Sequence, residues 1–153
     1  MKSRRNFIKK TALGGAGIAV AGSAMGMTAK SYSRIMGSNE RIHVAIAGLG
    51  RRLGAFYEPI AKKEANVELL YLCDVMEKQR TNAAQNFSKH INYDPKREND
   101  IRKVIDDKNV DALINATPDH WHTPGSIMAL KAGQHVYVEK PSSHNMEENE
   151  MLV

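Results

Sequence analysis

A chain that alternates short apolar runs with segments of helical period has few folds open to it. Here the runs are residues 42–47, 67–73, 91–93, 112–116 and 136–139, each bounded by polar or turn-forming residues. Between the first two, Leu53, Phe56, Tyr57 and Ile60 fall at i, i+3, i+4 and i+7, one face of a helix. A polar helix is predicted over 77–89 and a short one carrying Ile101, Val104 and Ile105. Parallel strands need crossovers of this length. The near-continuous apolar run 67–73 suits a strand covered on both faces. The pattern predicts an α/β fold, a doubly wound parallel sheet.

The later elements carry end signals. Thr123 is placed to cap a helix, Pro124 fits its first turn, and Gly133 can take the left-handed position after its end. Asn145, with Glu148 three residues on, reads as a capping pair for a further helix. That helix is cut at Val153, so the chain reads as the front part of a longer protein.

The loop after the first strand holds Gly48-Leu49-Gly50-Arg51-Arg52. A strand-to-helix turn of this kind brings backbone N–H groups and the positive end of a helix dipole together, which suits a pyrophosphate. Gly48 permits the tight turn and Gly50 lets the phosphates approach. The strict G-x-G-x-x-G spacing fails, because Leu53 stands where the third glycine belongs and Gly54 comes one place late. Asp74 closes the second strand, where a carboxylate can accept from ribose hydroxyls, cap the next helix, or do both. Its charge favours NAD over NADP, whereas Arg51 and Arg52 could neutralise a phosphate.

Net charge is +5, but residues 1–36 hold seven Lys or Arg and no acid, which leaves the remainder at −2. The basic character belongs to the N-terminus, and no nucleic-acid partner is expected. Ser3-Arg4-Arg5-Asn6-Phe7-Ile8-Lys9 resembles the twin-arginine export signal of bacteria, and the Gly/Ala-rich run over 11–27 is too mildly apolar for a lasting membrane span. Small residues at Ala19-Val20-Ala21 or Gly22-Ser23-Ala24 could be cut by a signal peptidase. The resemblance implies a signal peptide and linker over 1–36, use of the twin-arginine machinery, and a periplasmic or otherwise exported protein. The single cysteine, Cys73, excludes an intrachain disulfide and reads as a small core residue.

Two more motifs close strands: Thr117-Pro118-Asp119-His120-Trp121-His122 after the fourth, and Glu139-Lys140-Pro141 after the fifth. Together with the glycine loop they resemble the Gfo/Idh/MocA family of oxidoreductases, over residues 41–153. The resemblance implies a Rossmann domain over 37–153 that binds NAD, with NADP possible. A substrate domain would follow, and it would supply an Asp and a His to the site. It implies that Thr117, Pro118 and His122 line the cofactor and that Glu139 lies beside Lys140. Lys140 itself would be the catalytic residue, facing nicotinamide and substrate, with the bond before Pro141 cis as in relatives. A plain salt bridge between Lys140 and Glu139 is the structural alternative. Trp121 either walls the cleft or packs under the loop. His120, His122, His144 and Glu139 lack the spacing of a metal site, so none is expected.

The expected function is hydride transfer between NAD(P) and a sugar, polyol or inositol-like substrate, in a protein that associates with copies of itself at full length. Two alternatives stay open. One is an exported glycosidase that uses bound NAD for transient oxidation; such relatives depart from Glu-Lys-Pro at the strand end. The other is a dinucleotide binder without catalysis.

Overall fold

The computed structural model describes residues 41–152. Strand β1 (Ile42–Ala47) leads through a 3-10 segment (Arg51–Phe56) into α1 (Tyr57–Ala61). Then come β2 (Val67–Cys73), α2 (Glu77–Phe87), β3 (Lys96–Glu98), α3 (Ile101–Asp106) and β4 (Ala112–Asn115). A 3-10 turn (Asp119–Trp121) opens α4 (His122–Lys131), followed by β5 (His135–Val138) and α5 (Met146–Met151). Among the described residues the strands form one sheet in the order β3-β2-β1-β4-β5, all pairs parallel. The order reverses between β1 and β4, and such a switch point leaves a crevice at the carboxyl ends of the strands.

Side-chain alternation along β1 builds both halves of the core. Val44 and Ile46 face a first cluster with Leu49, Leu53, Phe56 and Ile60 and with Ala83, Ala84 and Phe87 of α2. Ala45 and Ala47 face a second cluster with Val104 and Ile105 of α3, Leu113 of β4 and Ala129 of α4. Helices therefore cover both faces, as the sequence pattern predicts. In β2 the register against β1 slips after Val44, so Leu69 and Leu72 share the first cluster while Cys73 joins the second. A bulge of one residue explains why this run shows no clean alternation. Fully burying a Leu, Ile or Phe is worth about 1.5–3 kcal/mol. The stability thus sits around β1, β2 and β4, whereas α5 buries no residue.

Four expectations are corrected. The third strand is Lys96–Glu98, not 91–93. Tyr93 instead lends its hydroxyl oxygen to the Leu69 amide at 3.0 Å, and Ile91 packs against the first cluster. The face Leu53-Phe56-Tyr57-Ile60 does turn inward, but its first turns are 3-10. Helix α2 stops at Phe87, short of residue 89. Thr123 lies one residue inside α4, and its hydroxyl donates to Ser142 O at 3.1 Å instead of capping. Gly133 does take positive φ, +86°, and Asn145 does accept from Glu148 N at 2.8 Å. The glutamate returns its bond to the His144 amide, one residue before the cap. No helix among the described residues is long and apolar enough to cross a membrane, and the stretch 11–27 lies outside them.

Candidate functional site

Gly48 has φ +87°, and a Cβ there would stand 2.3 Å from Ala116 O and 2.4 Å from Thr117 N. Its amide bonds Cys73 O at 2.9 Å, so the loop leaves the sheet wedged between the ends of β2 and β4. Only glycine meets both demands. At Gly50 a Cβ would meet nothing within 4 Å. That open face lies where the helical segment begins, and first-turn N–H groups lack intrahelical acceptors. Leu49 is different from the sequence reading: its side chain is core, 2% exposed, and its amide donates to Asp74 Oδ2 at 2.9 Å. It shapes the loop and does not offer its amide to a phosphate. Leu53 fills the first cluster, and a Cβ at Gly54 would make only an ordinary contact at 4.0 Å. The third glycine of the fingerprint is therefore not needed by this helix.

Asp74 is not the cap of α2, since Met76 holds the N-cap position with no side-chain cap bond. Beyond the bond from Leu49, Oδ1 accepts from Met76 N at 2.9 Å and starts the turn into α2. A carboxylate has about four acceptor sites, which leaves room for ribose hydroxyls. Asp74 lines a cleft of ≈ 750 Å³ with Gly48, Val75, Asp100, Thr117, Pro118 and Trp121 among its walls. Trp121 is half exposed there, so it walls the cleft. Cys73 is buried, and burial pushes its thiol up to about 12.

The residue that sequence reasoning missed is Asn115. It is wholly buried at the end of β4, in a run otherwise apolar, and a polar side chain in such a place was its only signal. Its Nδ2 donates to His122 O at 2.9 Å, Ser126 Oγ at 3.2 Å and Trp121 O at 3.3 Å. Its Oδ1 accepts from the Thr117 hydroxyl at 2.6 Å, and its carbonyl accepts from Glu139 N at 2.9 Å. One side chain thus fixes the Thr117–His122 loop. A Cβ at Gly125 would come within 2.9 Å of that amide nitrogen, so the helix must be bare there.

The Glu139-Lys140-Pro141 turn is held on both flanks, and its Lys140–Pro141 bond is cis. His122, 3% exposed, meets Pro141 O through Nδ1, and Thr123 holds Ser142 O. His122 Nε2 is buried with no hydrogen-bond partner among the described residues. The sequence expectation put His122 on the cofactor; here it lies beneath the turn. On the other flank Arg52 Nη2 reaches Glu139 Oε1 at 3.0 Å. Glu139 is buried, and the hydrogen bond from Arg52 holds its carboxyl below the usual range, while the same bond raises the guanidinium. Glu139 is therefore not the salt-bridge partner of Lys140. Lys140 is exposed, and its amine has no polar partner among the described residues. Arg51 is likewise exposed and unpaired there. No group of three or more His, Cys, Asp or Glu among the described residues could hold a metal.

A dinucleotide fits this edge. Asp74 would take the adenosine ribose on its side of the cleft, and the open face of Gly50 the phosphates. Thr117, Pro118 and Lys140 would meet the other half. Gly48 and Gly50 decide the fit, since the first cannot carry a Cβ and the second leaves its space free.

Comparison with known proteins agrees with this geometry. Residues 42–153 match the model of an oxidoreductase family with an NAD-binding Rossmann fold. A glycosyl hydrolase family 109 protein of Saccharopolyspora erythraea is 31% identical, over 95% of this chain and 35% of its own length. An alpha-N-acetylgalactosaminidase of Tannerella forsythia is 27% identical, over 95% of this chain and 34% of its own. The chain thus spans about a third of the length of these relatives. Among solved structures, the WlbA dehydrogenase of Bordetella pertussis, in complex with NADH and UDP-GlcNAcA, has TM-score 0.63 and 25% identity, covering 72% of this chain and 32% of that one. The scyllo-inositol dehydrogenase of Lactobacillus casei, with NAD(H) and scyllo-inositol, also has TM-score 0.63 and 25% identity, covering 72% and 31%. The chain belongs to the Gfo/Idh/MocA oxidoreductase family and carries its NAD-binding Rossmann fold.

Proposed function

We propose that this protein transfers a hydride between NAD and a ring CH–OH of a sugar, polyol or inositol-like substrate, with Lys140 as the catalytic residue. The observation that carries the reading is the free Lys140 amine, exposed on a turn anchored by Arg52, His122 and Thr123 at the carboxyl edge of the sheet. When bound, the nicotinamide would supply the hydride acceptor. What remains for the protein is the hydroxyl proton. An amine beside that oxygen can orient it, take or return its proton, and stabilise the charge it develops. The Asp74 carboxylate, acceptor only, favours ribose hydroxyls over a 2′-phosphate.

A second reading, net hydrolysis of a glycoside through transient oxidation, is favoured by the curated relatives, one of them an alpha-N-acetylgalactosaminidase. It begins with the same hydride step, whereas the Glu139-Lys140-Pro141 motif of this chain favours the first reading. Incubating the protein with NAD and a panel of sugars and polyols, beside p-nitrophenyl α-N-acetylgalactosaminide, separates the readings. Net NADH formation supports the first, and nitrophenol release without net NADH supports the second. Binding of NAD with neither would leave a binder and refute both.

The export reading stands on Arg4-Arg5 with Phe7-Ile8-Lys9 and on the absence of acids from residues 1–36. The curated alignments also cover 95% of the chain, and so run into that segment. Replacing Arg4 and Arg5 by lysines should retain the protein in the cytoplasm. Export unchanged by that pair would refute it.

A further inference from the structure

The loop after β1 and the turn after β5 meet across 87 residues of sequence in the Arg52–Glu139 pair, and again where Phe56 meets Tyr137 edge-on at 6.0 Å between ring centroids. Glu139 is 5% exposed while Arg52 keeps half its side chain in water. The desolvation cost falls on the carboxylate, which therefore needs its counter-charge. Neighbouring side chains of an extended segment point to opposite faces. Here Glu139 faces inward and Lys140 faces solvent.

We propose that Arg52 is a positioning residue and not a phosphate ligand: it holds Glu139 inward, and so keeps that carboxylate from drawing Lys140 out of its presented position. The inference deepens the function proposed above and rests on it for the role of Lys140. Apart from a long bond of 3.5 Å from the Tyr137 hydroxyl of β5 to the same Glu139 oxygen, the other anchors of the turn, Asn115 O to Glu139 N, His122 to Pro141 O and Thr123 to Ser142 O, come from β4 and α4. The Arg52 bond is the one polar anchor among them that comes from the dinucleotide loop. Because its guanidinium is neutralised by Glu139, the phosphate-facing cation of this loop is Arg51, which has no partner among the described residues.

The test uses the full chain with Arg52→Met, Arg52→Lys, Glu139→Gln and the double variant Arg52→Met/Glu139→Gln. Acetylation of Lys140 by an N-hydroxysuccinimide ester at one pH is followed by mass spectrometry against Lys62 and Lys131. NAD affinity is titrated in parallel. Arg52→Met should slow Lys140 acetylation several-fold, and the double variant should restore it, because the carboxylate left without its counter-charge is gone. Arg52→Lys should stay near the parent, and Glu139→Gln should not slow the reaction. NAD affinity should hold within a few-fold in all four, since a lost charged phosphate contact would weaken it by about tenfold or more. Equal acetylation in parent and Arg52→Met, or a tenfold loss of NAD affinity that Glu139→Gln does not relieve, would overturn the proposal. Neither readout needs substrate turnover, so both decide even if the proposed reaction fails. Where turnover is measured, Arg52→Met should lower kcat and leave the KM for NAD nearly unchanged.

Discussion

Gly48 and Gly50 stand two residues apart in one loop, and alanine should act on them in opposite ways. At position 48 the new Cβ would overlap the backbone of Ala116 and Thr117, at 2.3–2.4 Å, with φ at +87°. The left-handed conformation costs a non-glycine residue about 1–2 kcal/mol, and forced overpacking adds about 1–3 kcal/mol. The obstacle is backbone, which cannot rotate aside, so the two terms together give about 2–5 kcal/mol. That is a large share of the roughly 5–15 kcal/mol available to a domain. At position 50 the backbone is at φ −84° and the Cβ would enter open space. With no clash at that Cβ, stability should there change by about 1 kcal/mol or less. The methyl would nevertheless stand where the phosphates approach. Urea denaturation and NAD titration of both variants measure the two quantities. Gly48→Ala should lose stability and NAD binding together, and Gly50→Ala should lose binding alone. A Gly48→Ala protein within about 1 kcal/mol of the parent would refute the clash argument. A Gly50→Ala protein that binds NAD as the parent does would refute the phosphate assignment.

Other outcomes follow from the same geometry. Lys140→Met should cost about a hundredfold or more in turnover with NAD binding retained, as loss of a proton-handling group does; retained turnover would remove Lys140 from the mechanism. Asn115→Asp turns a donor toward the Trp121 and His122 carbonyls into an acceptor, with about 3 kcal/mol or more of destabilisation at neutral pH. The penalty should shrink as pH falls, because the buried acid regains a proton to donate, and a pH-independent loss would contradict it. Cys73, buried and with its thiol pushed up to about 12, should resist a thiol reagent at pH near 8 until denaturant unfolds the chain. Rapid labelling of the native protein would show the strand end to be open.

The pH dependence of stability has a definite sign. Asp100 is held at about 2, against an ordinary 3.8, chiefly by the Arg102 side chain. Glu98, Asp107 and Glu139 are lowered too. Each favours the folded state fully above its unfolded value and loses that contribution as pH falls through its folded value. Stability should therefore fall from about pH 4.5 toward pH 2, and a flat acid limb by circular dichroism would refute these pairings.

The sheet was legible because its central strands are apolar runs between helical periods, and β1 and β2 have the bounds the sequence suggests. The edge strand β3 was not, since Lys96-Arg97-Glu98 pairs on one side only and needs no apolar face. Asp74 and the glycines were readable as local chemistry. Arg52–Glu139 was not, because nothing local couples residues so far apart, and each looked like a group free to meet a ligand. Asn115 drew no notice inside an apolar strand, although a buried amide there is what orders the loop after it. Sequence reading thus found which segments gather at the sheet edge. It missed which polar groups there are already spent on one another.

The central claim, that the carboxyl edge around Gly48, Gly50 and Asp74 holds a dinucleotide, is tested most directly by calorimetric titration of the chain with NAD. The account predicts saturable one-site binding, tighter for NAD than for NADP, that Gly50→Ala weakens without loss of fold. Absence of heat with either nucleotide at millimolar concentration, from a protein shown to be folded, would contradict it.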